Sequence, residues 1–424
     1  MDQLAANRQG SVALDTRRGV GGLNLHTVDE RTESAILERA VRSLDTWRGY
    51  VKTFPASAPS APFGTFPFAE LLAHFRHTGR LAADPSLLAA LRETLAAERD
   101  PELSAWLRMT VDQEDGDYAS YLGGELYERH AGRTGERRGD DAIDDEVVIA
   151  LIADLVSLEA RALGSAPGND RQRARTRAAL QALAGLAELA PDRAPGHELL
   201  TAAELAGPLA GRLDDGALAE RASAVAAAVA DTTTAGTRRL VDLTLLPVTR
   251  MHDELMFIRM IQVFEILYTH VGNGLADAAE LLDRGEVEAA CAVLAKATGR
   301  MQATRMLYRV LTTMPPEAFS VIRNNTDGRS AIQSLAHRRV EQLSTSTVQE
   351  AFERRSPRLD DAQLHDLVTV LKAMDTSWTT AKRTHWGITL KIIGSVAGTG
   401  GTTGADYLAT RSVIPLFPFL HGSA

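Results

Sequence analysis

From residue 143 to 163 apolar side chains return at the spacing of a helix, with Val147, Leu151, Leu155, Leu158 and Ala162 on one face. The same period marks 33–54 and the alanine-rich stretches 171–189 and 202–230. It predicts a long apolar helical region over 240–271 and one or two helices over 277–311, broken near Gly285. Further helices are expected at 317–323, 331–343, 360–374 and 377–394. Between 68 and 107 the pattern gives two or three short helices. Two of them start at Asp84-Pro85 and Asp100-Pro101, where an acid caps the first turn and proline is tolerated at its first position. Prolines across 55–67, charge and glycine across 129–141, and glycine across 398–404 read as loops. No stretch reads as a strand, so the expected fold class is all-α, a helical bundle.

Composition narrows the function classes. Hydrophobic residues make up 45% and charged residues 24%, the balance of an ordinary globular chain. A formal charge of −9 offers no basic surface for phosphate neutralisation, so nucleic acid is not an expected partner. No apolar run approaches a membrane span, and the first 22 residues carry no apolar signal core. The expectation is a cytoplasmic protein with no membrane partner. A lone cysteine, Cys291, excludes an internal disulfide and cysteine-rich zinc or iron–sulfur sites, and reads as a buried structural thiol. Three parts are expected: a flexible arm over 1–34, an N-terminal helical region over 35–235 and a core over 236–424. Their main boundary falls on the threonine-rich 231–236.

Four stretches carry chemistry. Gly398-Thr399-Gly400-Gly401-Thr402-Thr403-Gly404 follows a helix. It lacks the lysine of a phosphate-binding P-loop, follows no strand and misses the dinucleotide glycine spacing. It offers close backbone approach to a ligand with short hydroxyls, or serves as a plain linker. Upstream, His385 shares a helix face with Ile388 and Ile392, a setting that suits a hydrogen-bonded core histidine or an axial ligand to haem iron. His252-Asp253-Glu254-Leu255-Met256-Phe257-Ile258 opens a helix on which Phe257, Ile261, Phe264 and Tyr268 share one face. Its charged first turn suits the helix dipole. A non-haem iron triad from His252 and Glu254 is disfavoured, because residues two apart on a helix diverge. Phe319-Ser320-Val321-Ile322-Arg323 ends an apolar helix in an arginine, which is a solvated cap or, turned inward, a fork for a carboxylate.

Together and in this order, the stretches resemble the tryptophan 2,3-dioxygenase family, within the wider group of haem-dependent aromatic oxygenases. Residues 252–258 are similar to its His-Asp-Glu-His-Leu-Phe-Ile signature. Residues 319–323 with 330–335 resemble its Phe-x-x-Phe-Arg and Ser-Gly-Phe-Gln-Ser-Leu stretch. His385, Gly394 and 398–404 resemble its proximal-histidine helix and Gly-Thr-Gly-Gly-Ser-Ser-Gly loop. The likeness spans about 240–410 and keeps the separations Phe257 to Arg323 and His385 to Thr399. It implies a tryptophan 2,3-dioxygenase-like core with haem b as cofactor, His385 as iron ligand, and Gly398, Gly400 and Gly401 beside the cofactor. It further implies Arg323 on the substrate carboxylate, Thr399 on the amino-acid group, and Phe257 and Phe319 along the aromatic ring. Tyr118-Ala119-Ser120-Tyr121-Leu122 resembles the family's Tyr-x-x-Tyr-Leu, which completes the pocket of a neighbouring subunit. That implies Tyr118, Tyr121 and Leu122 as substrate contacts, and a homo-oligomer, dimer or tetramer.

Three departures qualify what the resemblance implies. Ile261 stands where the family has its distal histidine, and an aliphatic chain donates no hydrogen bond, so no catalytic side chain is assigned. The stretch from Arg323 to His385 is shorter than in the family, and more than two hundred residues precede the match. Within those, Asp144-Asp145-Glu146-Val147-Val148-Ile149 echoes 252–258, which is either a degenerate repeat of the core without the histidine or the chance likeness of two amphipathic helices. The expected function is insertion of dioxygen-derived oxygen into an aromatic amino acid, L-tryptophan or a derivative. Two alternatives stand beside it: a haem-dependent monooxygenase or hydroxylase of tyrosine or a modified tryptophan, and a non-catalytic helical binding protein on the same scaffold.

Overall fold

Local signals set most helix ends. In the computed structural model, which describes residues 30–53, 63–112, 119–132, 141–189, 196–207, 211–324, 334–392, 394 and 405–421, no β-strand occurs among the described residues. The N-terminal part runs through α1 (Glu30–Val51), α2 (Phe68–Thr78), α3 (Pro85–Ala97), α4 (Pro101–Val111), α5 (Ala119–Leu122) and α6 (Gly124–His130). Then come α7 (Asp141–Ser165), α8 (Asp170–Ala187), α9 (Gly196–Ala206), α10 (Asp215–Thr232) and α11 (Ala235–Leu243). The C-terminal part holds α12 (His252–Arg284), α13 (Val287–Leu311), α14 (Pro316–Asn324), α15 (Leu335–Leu343), α16 (Gln349–Arg355), α17 (Asp361–Ile392) and α18 (Ala405–Ser412). Asp84 and Asp100 cap α3 and α4 as expected, each accepting two backbone N–H groups ahead of a proline in the first turn.

Several boundaries differ from the expectation. The arm ends earlier, because α1 begins at Glu30. The stretch 202–230 is two helices, with Asp214 restarting the chain by accepting the Ala217 N–H at 2.8 Å. No helix runs continuously from 240: Pro247 cannot donate within a helix, and 244–251 is irregular. The carbonyls of Pro247 and Val248 instead accept Arg80 N–H and Leu81 N–H at 2.9 and 3.1 Å, tying the segment to the N-terminal part. Gly285, at φ 85°, closes α12 in the left-handed conformation that favours glycine. The two helices expected across 360–394 are one, α17. Asp375 continues the helix while its carboxylate turns to the C-terminal tail, accepting from Phe417 N–H and pairing with His421 at 2.7 Å.

Two other expectations are corrected. Cys291 is half-buried, not buried. α12 contains a window long and apolar enough to cross a membrane, with mean hydropathy 1.2, although 89% of that window is buried inside the fold. α12 is the central core helix.

α7–α8 and α12–α13 are two helical hairpins that pack against each other, α7 on α12 and α8 on α13. α7 supplies acids and α12 supplies bases. Asp144 meets His270 at 3.0 Å, Asp154 meets Arg259 at 2.6 Å, and Glu159 meets His252 at 3.2 Å. The α7 numbers rise as the α12 numbers fall, so the two helices run antiparallel. The second helices join in crosswise: Arg300 of α13 holds Asp145 of α7 at 2.8 Å, and Arg175 of α8 holds Asp253 of α12 at 2.5 Å. Nearly all these groups are buried, where an ion left without its partner costs several kcal/mol, so this register is strongly enforced. α15 packs on α12, and α17 lies along α13 with α18 against it.

Candidate functional site

One face of α12 is lined by large apolar side chains. Met256, Ile258, Met260 and Val263 have no exposed surface, whereas Phe257 keeps 9% and Ile261 8%. Phe264 and Tyr268 continue that face at helical spacing. Aromatic rings line both its ends. Phe257 meets the ring of Tyr121 at 6.4 Å and that of Phe319 at 5.9 Å, both edge to face. Two turns on, Phe264 lies 4.9 Å from Tyr308, and Tyr308 is stacked on His385 at 5.9 Å and 21°. The α12 face therefore joins an aromatic wall of α5, α12 and α14 to a histidine on α17, with aliphatic Ile261 between.

His385 is positioned by a heptad-like stripe. Leu367, Leu371, Met374, Trp378 and Ala381 are buried along α17, and His385 and Ile388 extend the same side. The imidazole is half-buried, yet surrounding protein pushes its pKa down to about 4 by desolvation alone. It makes no hydrogen bond with a described side chain. The side chain is thus reached by water on one side and hemmed in by protein on the other. At neutral pH the imidazole is uncharged and keeps a nitrogen lone pair unused by any described residue. That is the donor an axial haem ligand requires, and Ile388 one turn along α17, with the ring of Tyr308 stacked on the imidazole and that of Phe264 beyond it, supplies apolar surface suited to a porphyrin face, so the residues fit the group. Among the described residues no cluster of three histidine, cysteine, aspartate or glutamate side chains could hold a metal ion. His252 and Glu254 serve different partners, Glu159 and Tyr121.

The remaining candidates divide. Tyr121 is fully buried, and Leu122 packs half-buried against the core. Tyr121 reaches Phe257 within one chain, whereas the resemblance implied a neighbouring subunit's pocket. Phe319 and Arg323 lie one turn apart on α14, both half-buried. Tyr118, Gly398, Thr399, Gly400 and Gly401 lie outside the described residues.

Sequence reasoning missed the second layer. Behind His385, Tyr308 and Tyr268 are hydrogen-bonded, and burial pushes the Tyr268 phenol up to about 12. His337 sits 4.6 Å from Trp378 and 5.2 Å from Tyr268. Burial first, and then the charges of Lys382 and its neighbours, push the His337 imidazole down to about 3. Lys382, itself lowered to about 8 by burial, donates to the Ile414 carbonyl at 3.0 Å. No motif in the sequence marks this layer, since Tyr308 is the one aromatic residue of α13 and His337 stands alone in α15.

No family model matches the chain. Two curated proteins are similar to it, both named tryptophan 2,3-dioxygenase. The one from Anaeromyxobacter sp. (strain K) is 25% identical over 231 residues, taking in 41% of this chain and 87% of that protein. The one from Anaeromyxobacter dehalogenans (strain 2CP-C) is 32% identical over 97 residues, 23% of this chain and 37% of that protein. The chain is distantly related to proteins of that name, over less than half of its own length.

Proposed function

We propose that this chain is a haem-dependent oxygenase acting on an aromatic amino acid, L-tryptophan or a derivative of it. The observation that carries this reading is His385: neutral, desolvated and without a hydrogen bond to a described side chain, at one end of a row of aromatic rings. The names of the two relatives support it. His385 would hold haem b through its iron, and the cofactor supplies the dioxygen activation that no side chain can.

The chain's own residues bind and orient. Phe257 and Phe319 offer ring edges and faces to a flat apolar substrate, with fully buried Tyr121 behind Phe257. Arg323, at the end of α14, is the group for the amino-acid carboxylate, so that the ring is fixed from its polar end, and Thr399, outside the described residues, is the second candidate for the amino-acid group. The apolar walls exclude water from the reacting atoms. Ile261 can neither donate nor accept a proton, so proton movement at that point belongs to the substrate itself.

Ile261 also favours the second reading, a monooxygenase or hydroxylase of tyrosine or a modified tryptophan, because the side chain that would orient an indole nitrogen is absent. Product analysis separates the two. Haem-loaded protein given L-tryptophan, methyltryptophan and tyrosine with dioxygen yields N-formylkynurenine or its methyl derivative under the first reading. A hydroxylated amino acid as the only product supports the second, and no product at all sinks both.

A further inference from the structure

We propose that Glu254 is a positioning residue. By holding the Tyr121 hydroxyl it fixes a residue of the N-terminal region at the end of the aromatic wall formed with Phe257 and Phe319, so both regions of one chain select the substrate ring. The proposal rests on that wall facing the substrate.

Glu254 is fully buried at the start of α12. One of its oxygens accepts Val248 N–H at 2.6 Å and the Tyr121 hydroxyl. The other accepts Thr249 N–H at 2.7 Å and the Thr249 hydroxyl. Four donors saturate the carboxylate, and its position in the first turn of α12 adds the favourable end of the helix dipole. Capping the helix entrance accounts for the Val248 and Thr249 donors. It does not account for Tyr121, which arrives from 133 residues earlier in the chain.

Tyr121 is held at three further points. Its carbonyl accepts Gln262 Nε2 at 2.9 Å, the Arg80 guanidinium lies 5.8 Å from its ring centre, and its ring meets Phe257 edge to face. Arg80 is itself buried and donates to the carbonyls of Met109 and Asp112 at 3.0 and 2.8 Å. Exposure then increases along the wall, from fully buried Tyr121, through Phe257 at 9%, to half-buried Phe319. The fixed end is therefore the one set by Glu254. The crosswise pairs Asp145–Arg300 and Asp253–Arg175 clamp the two regions, so the wall needs no second copy of the chain.

The test uses the full-length, haem-loaded protein and calorimetric titration with L-tryptophan, with haem content read separately from the Soret band. Tyr121→Phe keeps the ring and loses the tie, and Glu254→Gln keeps the shape and loses an acceptor. Each is expected to weaken L-tryptophan binding by about 5–20-fold, and the double variant no further, because the two residues act as one unit. Haem content and the ligand-free Soret band stay unchanged. A structural cap alone would lower the melting temperature and leave affinity intact, which overturns the proposal. So does a double variant weakened by the product of the singles. Wild-type protein that takes up no haem but binds L-tryptophan tightly sinks the oxygenase reading and leaves this comparison intact; no binding in either state sinks this proposal. Co-expressed Tyr121→Ala and Phe257→Ala chains are expected to regain no tight sites. Recovery of such sites would show that the wall is shared between chains, contrary to the proposal.

Discussion

Arg175 of α8 donates to Asp253 of α12 at 2.5 Å, while Arg300 of α13 donates to Asp145 of α7 at 2.8 Å. Each hairpin thus sends an arginine from its second helix to an aspartate on the first helix of the other. Both arginines are buried, with 1% and 3% exposure, so removing Arg175 strands the buried Asp253 carboxylate and removing Arg300 takes the bidentate partner from half-buried Asp145. Arg175→Met and Arg300→Met are each expected to destabilise the fold by about 3–5 kcal/mol. Chemical or thermal unfolding followed by circular dichroism measures this. A loss under about 1 kcal/mol in both would mean that the pairs contribute little beyond surface ion pairs.

Acid and alkali should act on different histidines. The His337 pKa is depressed to about 3 from 6.5, so the folded chain refuses a proton that the unfolded chain accepts. Its contribution is intact above pH 6.5 and is lost as pH falls from there toward 3. For His252 burial opposes the charge, but Glu159, by charge and hydrogen bond, outweighs it and raises the pKa. That contribution is intact below pH 6.5 and is lost as pH rises through the folded pKa. Melting temperature measured from pH 5 to 9 should therefore fall on both sides. His337→Gln is expected to flatten the acid side, and His252→Gln the alkaline side. Unchanged slopes in these variants would remove the histidines from the account.

Arg323 is expected to discriminate ligands by their carboxylate. A charge-assisted hydrogen bond contributes about 1.5–3 kcal/mol, so Arg323→Ala should weaken L-tryptophan binding about 10–100-fold. Indole, which has no carboxylate, should bind the variant about as well as wild type. Equal losses for both ligands would place Arg323 in the scaffold and take it out of the substrate site.

Much of the fold was legible because helix signals are local. Asp84-Pro85 and Asp100-Pro101 start α3 and α4, and Gly285 ends α12. The likeness of 144–149 to 252–258 picked out two segments that open neighbouring antiparallel helices. What stayed illegible depends on tertiary partners. The segment around Asp375 read as a helix break, because the residues that use its carboxylate lie 41 to 46 positions later. Glu254 read as a dipole-matching acid, because nothing nearby in sequence reveals that Tyr121 comes to it. His337 carried no motif at all. Periodicity could place His385 on an inward face, but only packing shows that desolvation leaves it neutral.

The most direct measurement is the absorption spectrum of the full-length protein produced with ample haem precursor. Wild type is expected to show a Soret band with about one haem per chain. His385→Ala, checked by circular dichroism to retain its helices, is expected to lose most of that band, and added imidazole to restore part of it by replacing the missing ligand. A colourless wild-type protein, or a His385→Ala protein with an unchanged band, would contradict the assignment of His385 as the haem ligand.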